Sequence, residues 1–144
     1  MKKGDPPIIV EQDFGRSVSE VWKAITEPDE MRQWYFENLP DYRAEVGFST
    51  EFPVRSGERT FLHQWVITEV EPKRKLVCNW RFKGIPGDSS VVFEVSGDDR
   101  SARLAVSTLV HEDFPEDIPE FRRESCIGGW TWFIKDRLKS YLDG

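Results

Sequence analysis

Long hydrophobic runs are missing from these 144 residues. Nowhere do about 18 apolar residues follow one another, which excludes a membrane-spanning helix. The N-terminus lacks the apolar stretch of a secretory signal, so a cytoplasmic location without membrane insertion is expected. Positive charge is also short: 20 Lys and Arg against 26 Asp and Glu leave a net charge of -6. Nucleic-acid surfaces show the opposite, a clustered basic surplus, so no nucleic-acid partner is expected. Lys73, Arg74 and Lys75 form the one basic triplet, and their place after Pro72 reads as a solvated hairpin turn.

Cysteine and histidine are equally scarce, with two of each. Cys78 and His63, like Cys126 and His111, stand 15 residues apart, without the close pairs that zinc sites use. Metal and cofactor are therefore both expected to be none. Cys78 and Cys126 read as small core hydrophobes. No serine occupies a Gly-x-Ser-x-Gly elbow and no Gly-rich phosphate cradle is present, so no catalytic residue is assigned. Repeats, low-complexity stretches and linkers are absent too, and residues 1–144 read as one unit. A chain this long buries roughly 68–70% of its unfolded surface.

Aromatic residues, by contrast, are plentiful: 13% of the chain, six of them tryptophan. Ile8–Phe14 alternates as a strand, and Gly15 ends it. Ser17-Val18-Ser19-Glu20 fits a capping box, followed by Val18, Val21, Trp22 and Ile25 at helical spacing. Pro28 breaks that helix, and Asp29 is the expected cap of a second, short one carrying Met31, Trp34 and Tyr35. Period-two segments then cover about 42–52, 60–70, 75–83, 90–96 and 102–111. Short connections at 71–74, 84–89 and 97–101 leave no room for crossover helices, so the strands pair as antiparallel neighbours with one face packed.

From Ile127 onward, Ile127, Trp130, Ile134, Leu138 and Tyr141 paint one face of a long helix. Such a face needs cover, and a curved sheet holding one long helix tends to enclose a pocket. Gly128 and Gly129 each cost about 1 kcal/mol relative to Ala inside a helix. Close packing on the sheet ranks ahead of space left for a ligand as the compensation. The acidic, proline-punctuated stretch 112–120 reads first as a solvated loop. Phe114, Ile118 and Phe121 would also suit a lid over a pocket mouth.

His63 shares a strand face with Phe61, Trp65 and Ile67. A structural histidine ranks first there, ahead of a polar anchor or proton-transfer group. Trp34, Trp65, Trp80, Phe82, Phe93, Trp130 and Phe133 could each be core. Together they exceed what a small sheet-on-helix interface needs, and aromatic walls suit flat apolar ligands.

Strand, capped helix with Val21-Trp22, short helix ending in Trp34, antiparallel meander and a last helix with Gly128-Gly129-Trp130 together resemble the SRPBCC (START-like) superfamily. Within it the chain is most similar to the family named for the activator of the heat-shock protein 90 ATPase, over about Ile8 to Leu142. The resemblance implies an α+β helix-grip fold: a curved six-stranded antiparallel sheet wrapped around a long C-terminal helix, with two short helices after the first strand. It also implies a cavity between sheet and helix. Relatives carry lipids, sterols or polyketides, and some catalyse cyclisation; no universal catalytic residue carries over.

The resulting expectation is a monomer that binds a small hydrophobic, aromatic, polyketide-like or lipid-like ligand. Its candidate contacts are Trp34, His63, Trp65, Trp80, Phe82, Phe93, Ile127, Trp130 and Ile134. A cyclase or hydrolase using the same cavity, and a protein-interaction module regulating a chaperone ATPase, stay open as alternatives.

Overall fold

The structure, a computed structural model, describes residues 1–143; Gly144, the end of the expected unit, lies outside the described residues. Six strands form one antiparallel sheet in the order β1-β6-β5-β4-β3-β2. They are β1 (Ile8–Phe14), β2 (Ser49–Ser56), β3 (Arg59–Glu71), β4 (Lys75–Phe82), β5 (Asp88–Gly97) and β6 (Ala102–Glu112). β1 and β2 are the two edges, so the chain between them must cross the sheet. Helices α1 (Val18–Thr26) and α2 (Pro28–Trp34) make that crossing.

Each strand buries one face. Phe61, His63, Trp65 and Ile67 of β3, and Val91, Phe93 and Val95 of β5, alternate with more exposed neighbours, as period two requires. Register shifts between Ile67 and Glu69 and between Asp88 and Ser89 insert bulges, which bend strands and increase twist. The sheet curves, and its concave face takes the helices.

The capping box at α1 is present: the Ser17 hydroxyl accepts from the Glu20 N–H at 3.1 Å, and the Glu20 carboxylate accepts from the Ser17 N–H at 3.3 Å. For α2 the expected cap is corrected. The helix starts two residues earlier, with Glu27 as its cap residue and Pro28 in the first turn, where a missing N–H costs nothing. Asp29 instead accepts a hydrogen bond from Arg32 at 2.9 Å.

The strand expected over residues 42–52 is also corrected, since pairing begins at Ser49. Gly47, at φ 90°, turns the chain immediately before it, a conformation that costs glycine little. Tyr42 is buried all the same, which explains the apolar signal in a segment without a ladder.

At the C-terminus α3 (Arg123–Trp130) runs without a break through a π-helical segment (Thr131–Leu138) into α4 (Lys139–Asp143). π-Helix is rare and makes i→i+5 bonds, so its turns hold more residues than α-turns. The buried stripe accordingly falls at every fourth residue: Trp130, Ile134, Leu138 and Leu142. Extending that interval backwards reaches half-buried Cys126, and Ile127 is left 40% exposed. The expected stripe placed Ile127 on the inner face; in the structure Cys126 takes that place and Ile127 points out.

A candidate ligand cavity between the sheet and the C-terminal helix

The sheet and the first half of the C-terminal helix do not close on each other. Between them lies a cavity of about 220 Å³. Its sheet wall is Phe61 and His63 of β3, Trp80 and Phe82 of β4, Ser89 and Val91 of β5, and Thr108 of β6. Cys126, Gly129, Trp130 and Phe133 form the helix wall, and Tyr35 and Phe36, just after α2, close one end. At the other end stand Phe114 and Phe121, packed around Phe61 and Phe82 with ring centroids 4.7–6.1 Å apart.

Phe114 lies in the acidic 112–120 stretch and Phe121 directly after it: Glu112, Asp113, Glu116 and Asp117 stay exposed, as a solvated loop requires, while the two phenylalanines turn inward. Phe114 lies against Gly87, where a Cβ would come within 2.3 Å of its ring, so only glycine permits this approach. Glu120, on a 3-10 turn (Pro119–Phe121), accepts hydrogen bonds from Ser56 Oγ and from Arg59 Nη1, both at 2.9 Å. The hydrogen bond from its own backbone N–H, then those from Ser56 and Arg59, hold its carboxyl below the usual range. Met1 also lines the cavity: its ammonium donates to the Phe121 carbonyl at 2.9 Å and its carbonyl accepts from the Phe114 N–H at 3.0 Å.

The buried polar side chains among the described residues are His63, Ser89 and Thr108, and all three line this cavity. His63 Nδ1 lies 3.2 Å from the Phe61 carbonyl, so a neutral ring donates from Nδ1 and keeps Nε2 as an acceptor. Burial lowers its pKa to about 4, with the Phe61 hydrogen bond opposing only in part. Ser89 Oγ donates to the Trp80 carbonyl at 2.9 Å. Burial also raises the Cys126 thiol, so it stays protonated and contributes a soft, uncharged surface.

A second, smaller cavity of about 10 Å³ sits deeper, walled by Ile25, Met31, Trp34, Tyr35, Tyr42, Trp65, Cys78, Trp80 and Phe93. Tyr35 and Trp80 belong to both. Of the residues singled out by sequence, His63, Trp80, Phe82 and Trp130 line the larger cavity, and Trp34, Trp65 and Phe93 meet Trp80 at the smaller one. Ile127 and Ile134 line neither. Ile134 is fully buried in dry core, below the helix portion that borders open space.

Sequence reasoning did not place Tyr35, Phe36, Phe61 or Met1 at the site. The aromatic triplet Trp34-Tyr35-Phe36 was a usable signal, but it straddles a helix end where no periodicity assigns a face. The two glycines are a correction as well. A Cβ at Gly128 or Gly129 would meet nothing within 4 Å, so neither is tightly packed: both are exposed, and Gly129 also borders the cavity. Among the described residues no three metal-ligating side chains converge.

A curved antiparallel sheet gripping a C-terminal helix is the helix-grip architecture. The family of Activator of Hsp90 ATPase homolog 1-like proteins matches residues 16–143, and the chain belongs to that family. DynU16, a protein in the dynemicin biosynthetic locus, is 27% identical over 96% of this chain with a TM-score of 0.76; the match spans 48% of DynU16, about half its length. CalU16 from Micromonospora echinospora is 25% identical, covering 94% of this chain and 75% of its own, with a TM-score of 0.66. CV1439 from Chromobacterium violaceum shares the fold at 19% identity, 96% and 97% coverage and a TM-score of 0.77. No curated protein matches.

Proposed function

We propose that this protein binds a small hydrophobic molecule, aromatic, polyketide-like or lipid-like, in the larger cavity, and works as a cytoplasmic monomeric carrier or binding protein. The observation that carries this reading is the cavity itself. At about 220 Å³ it exceeds the roughly 150 Å³ of an apolar cavity that admits benzene. Its wall is mostly aromatic with a few buried polar groups, the composition that orients a flat apolar ligand. The place of DynU16 in a biosynthetic locus supports a small-molecule ligand.

His63 is the ionisable group that an enzymatic cyclase or hydrolase reading would use. Its lowered pKa keeps it neutral but makes it a weak base, away from the operating pH where general-base catalysis is most efficient. Binding therefore ranks ahead of catalysis. Chaperone-ATPase regulation would act through an outer surface and give the cavity no task.

Amide chemical-shift mapping against a diverse metabolite set tests the reading. Hits should perturb residues on both walls, such as Phe82 and Gly129; hits that perturb only the outer sheet face would overturn it. Trp130→Phe should fold normally, because Phe keeps most of the apolar area, yet bind those hits more weakly than wild type.

A further inference from the structure

Among the described residues, two buried side-chain polar atoms have no hydrogen-bond partner: the Tyr35 hydroxyl and the Trp65 indole N–H. Their residues are 4% and 3% exposed, so water does not reach them from outside and their desolvation goes uncompensated. Native interiors leave few such groups, and each calls for an explanation. These two share one. Both residues line the inner cavity, and their rings stack with centroids 5.8 Å apart and planes 19° from parallel. Burial, then the charges of Cys78 and Tyr42, push the Tyr35 phenol well above its ordinary range; Cys78 and Tyr42 line the same cavity. The neighbouring Trp34 indole shows the contrast, since its N–H is committed to the Ala24 carbonyl at 2.8 Å.

We propose that the inner cavity is the polar subsite of the ligand pocket, taking the carbonyl oxygen of a neutral aryl ketone or quinone that accepts hydrogen bonds from the Tyr35 hydroxyl and the Trp65 indole N–H. This rests on the binding reading of the larger cavity and names the class of its ligand.

Three observations select that chemistry. An indole N–H can only donate and a phenolic O–H donates as well as accepts, so one acceptor with two lone pairs satisfies both donors at once. The inner wall carries no carboxylate, carboxamide or cationic side chain. A water would bring two protons for which this wall offers only the Tyr35 and Tyr42 hydroxyls as side-chain oxygen acceptors, and an anion would be buried without a counter-charge. A carbonyl oxygen has neither problem. Its size also fits, because about 10 Å³ is room for one water-sized group. Tyr35 and Trp80 wall both cavities, so the two adjoin at these rings, and the subsite requires the oxygen of a ring in the larger cavity to reach past that shared edge.

The test compares 1-tetralone with tetralin, the same bicyclic frame with and without the carbonyl. Both are titrated by NMR into the full chain and into its Tyr35→Phe and Trp65→Phe variants. The ketone should bind about three- to tenfold more tightly than the hydrocarbon, the range for one net neutral hydrogen bond, and more if both form fully. In Tyr35→Phe that preference should shrink while tetralin affinity holds. Tyr35→Phe keeps the stacked ring and removes an unpartnered hydroxyl, so the fold should survive. Independently of any variant, the Trp65 indole ¹H–¹⁵N resonance, assigned by its loss in Trp65→Phe, should move downfield with the ketone and not with the hydrocarbon. Equal binding of the two probes, a preference unchanged in both variants, or a Trp65 indole N–H contacting bound water alone would overturn the subsite and leave the larger cavity as the ligand site. Binding of neither probe, with no hit in the metabolite screen, would overturn both.

Discussion

In its second half the C-terminal helix buries Ile134, Leu138 and Leu142, at 0%, 0% and 7% exposure, in one cluster with α1, α2 and β1. In its first half the same helix crosses the same sheet with Cys126, Gly129 and Trp130 and leaves about 220 Å³ open. Apolar residues are not lacking in that half, where aromatics supply most of the wall. The difference is one of shape. Branched aliphatic side chains at every fourth position fill the space over the sheet to interior density. A glycine beside a tryptophan leaves a gap that large flat rings border but do not enter. A ligand cavity can thus be built from the same hydrophobic stripe that builds a core, by exchanging side-chain shape along one helix.

If the second half is dry, close-packed core, removing bulk there should be costly. Leu138→Ala is expected to lose about 2–5 kcal/mol, the transfer term plus the cost of the void left behind, read as a lower urea midpoint with an unchanged slope. A loss under about 1 kcal/mol would mean that this half is as loosely filled as the other, and the comparison would fail.

The open half holds a buried titratable group. Unfolded His63 takes up a proton as pH falls through 6.5, whereas the folded protein resists until about 4. Between those values the unfolded state binds more protons, so stability is full above about 6.5 and falls as pH drops. At about 1.36 kcal/mol per unit, the loss by pH 4 is on the order of 3 kcal/mol. His63→Phe, which suits the surrounding rings, should flatten that part of the profile. A variant whose stability falls as steeply as wild type between pH 6.5 and 4 would place the titration elsewhere.

The parts of this comparison differ in how far the sequence showed them. The first strand and the capping box rest on short-range patterns, and the structure has both, β1 with the same bounds. The inward face of β3, His63 included, follows from alternation. Three features depended on contacts distant in sequence. Whether Ile127 or Cys126 faces inward depends on how the helix sits on the sheet, which leaves no local signature in the residues. Tyr35 and Phe36 are positioned by the turn out of α2, and Phe114 by its approach to Gly87. The cavity was therefore legible as an aromatic excess, but most of its end walls were not.

Gly129→Ala sharpens the comparison in the opposite sense from Leu138→Ala. The added methyl meets nothing within 4 Å, and alanine in a helix is favoured over glycine by about 0.8–1.0 kcal/mol. The variant should gain nearly that much stability in urea titration while narrowing the cavity, so cavity ligands should bind it less well. Destabilisation would show that the position is packed.

The smallest effect is expected at the mouth. Glu120 ties the 3-10 turn bearing Phe121 to Ser56 and Arg59 at the β2–β3 hairpin. Arg59 is half exposed, at 51% for its side chain, and ion pairs in such settings contribute about 0.2–1 kcal/mol. Glu120→Gln keeps the shape and an acceptor oxygen but removes the charge, so global stability should change by less than about 1 kcal/mol. Local opening should respond more, because the turn's own backbone bonds are few: the Phe121 N–H to the Ile118 carbonyl and the Arg122 N–H to the Pro119 carbonyl. Their amide hydrogens should exchange faster in the variant, while those of Ile134 and Leu138, in the dry half, keep wild-type protection. Equal acceleration in both halves would mean that the turn and the core open as one unit, and the mouth could not then be treated as an independent lid.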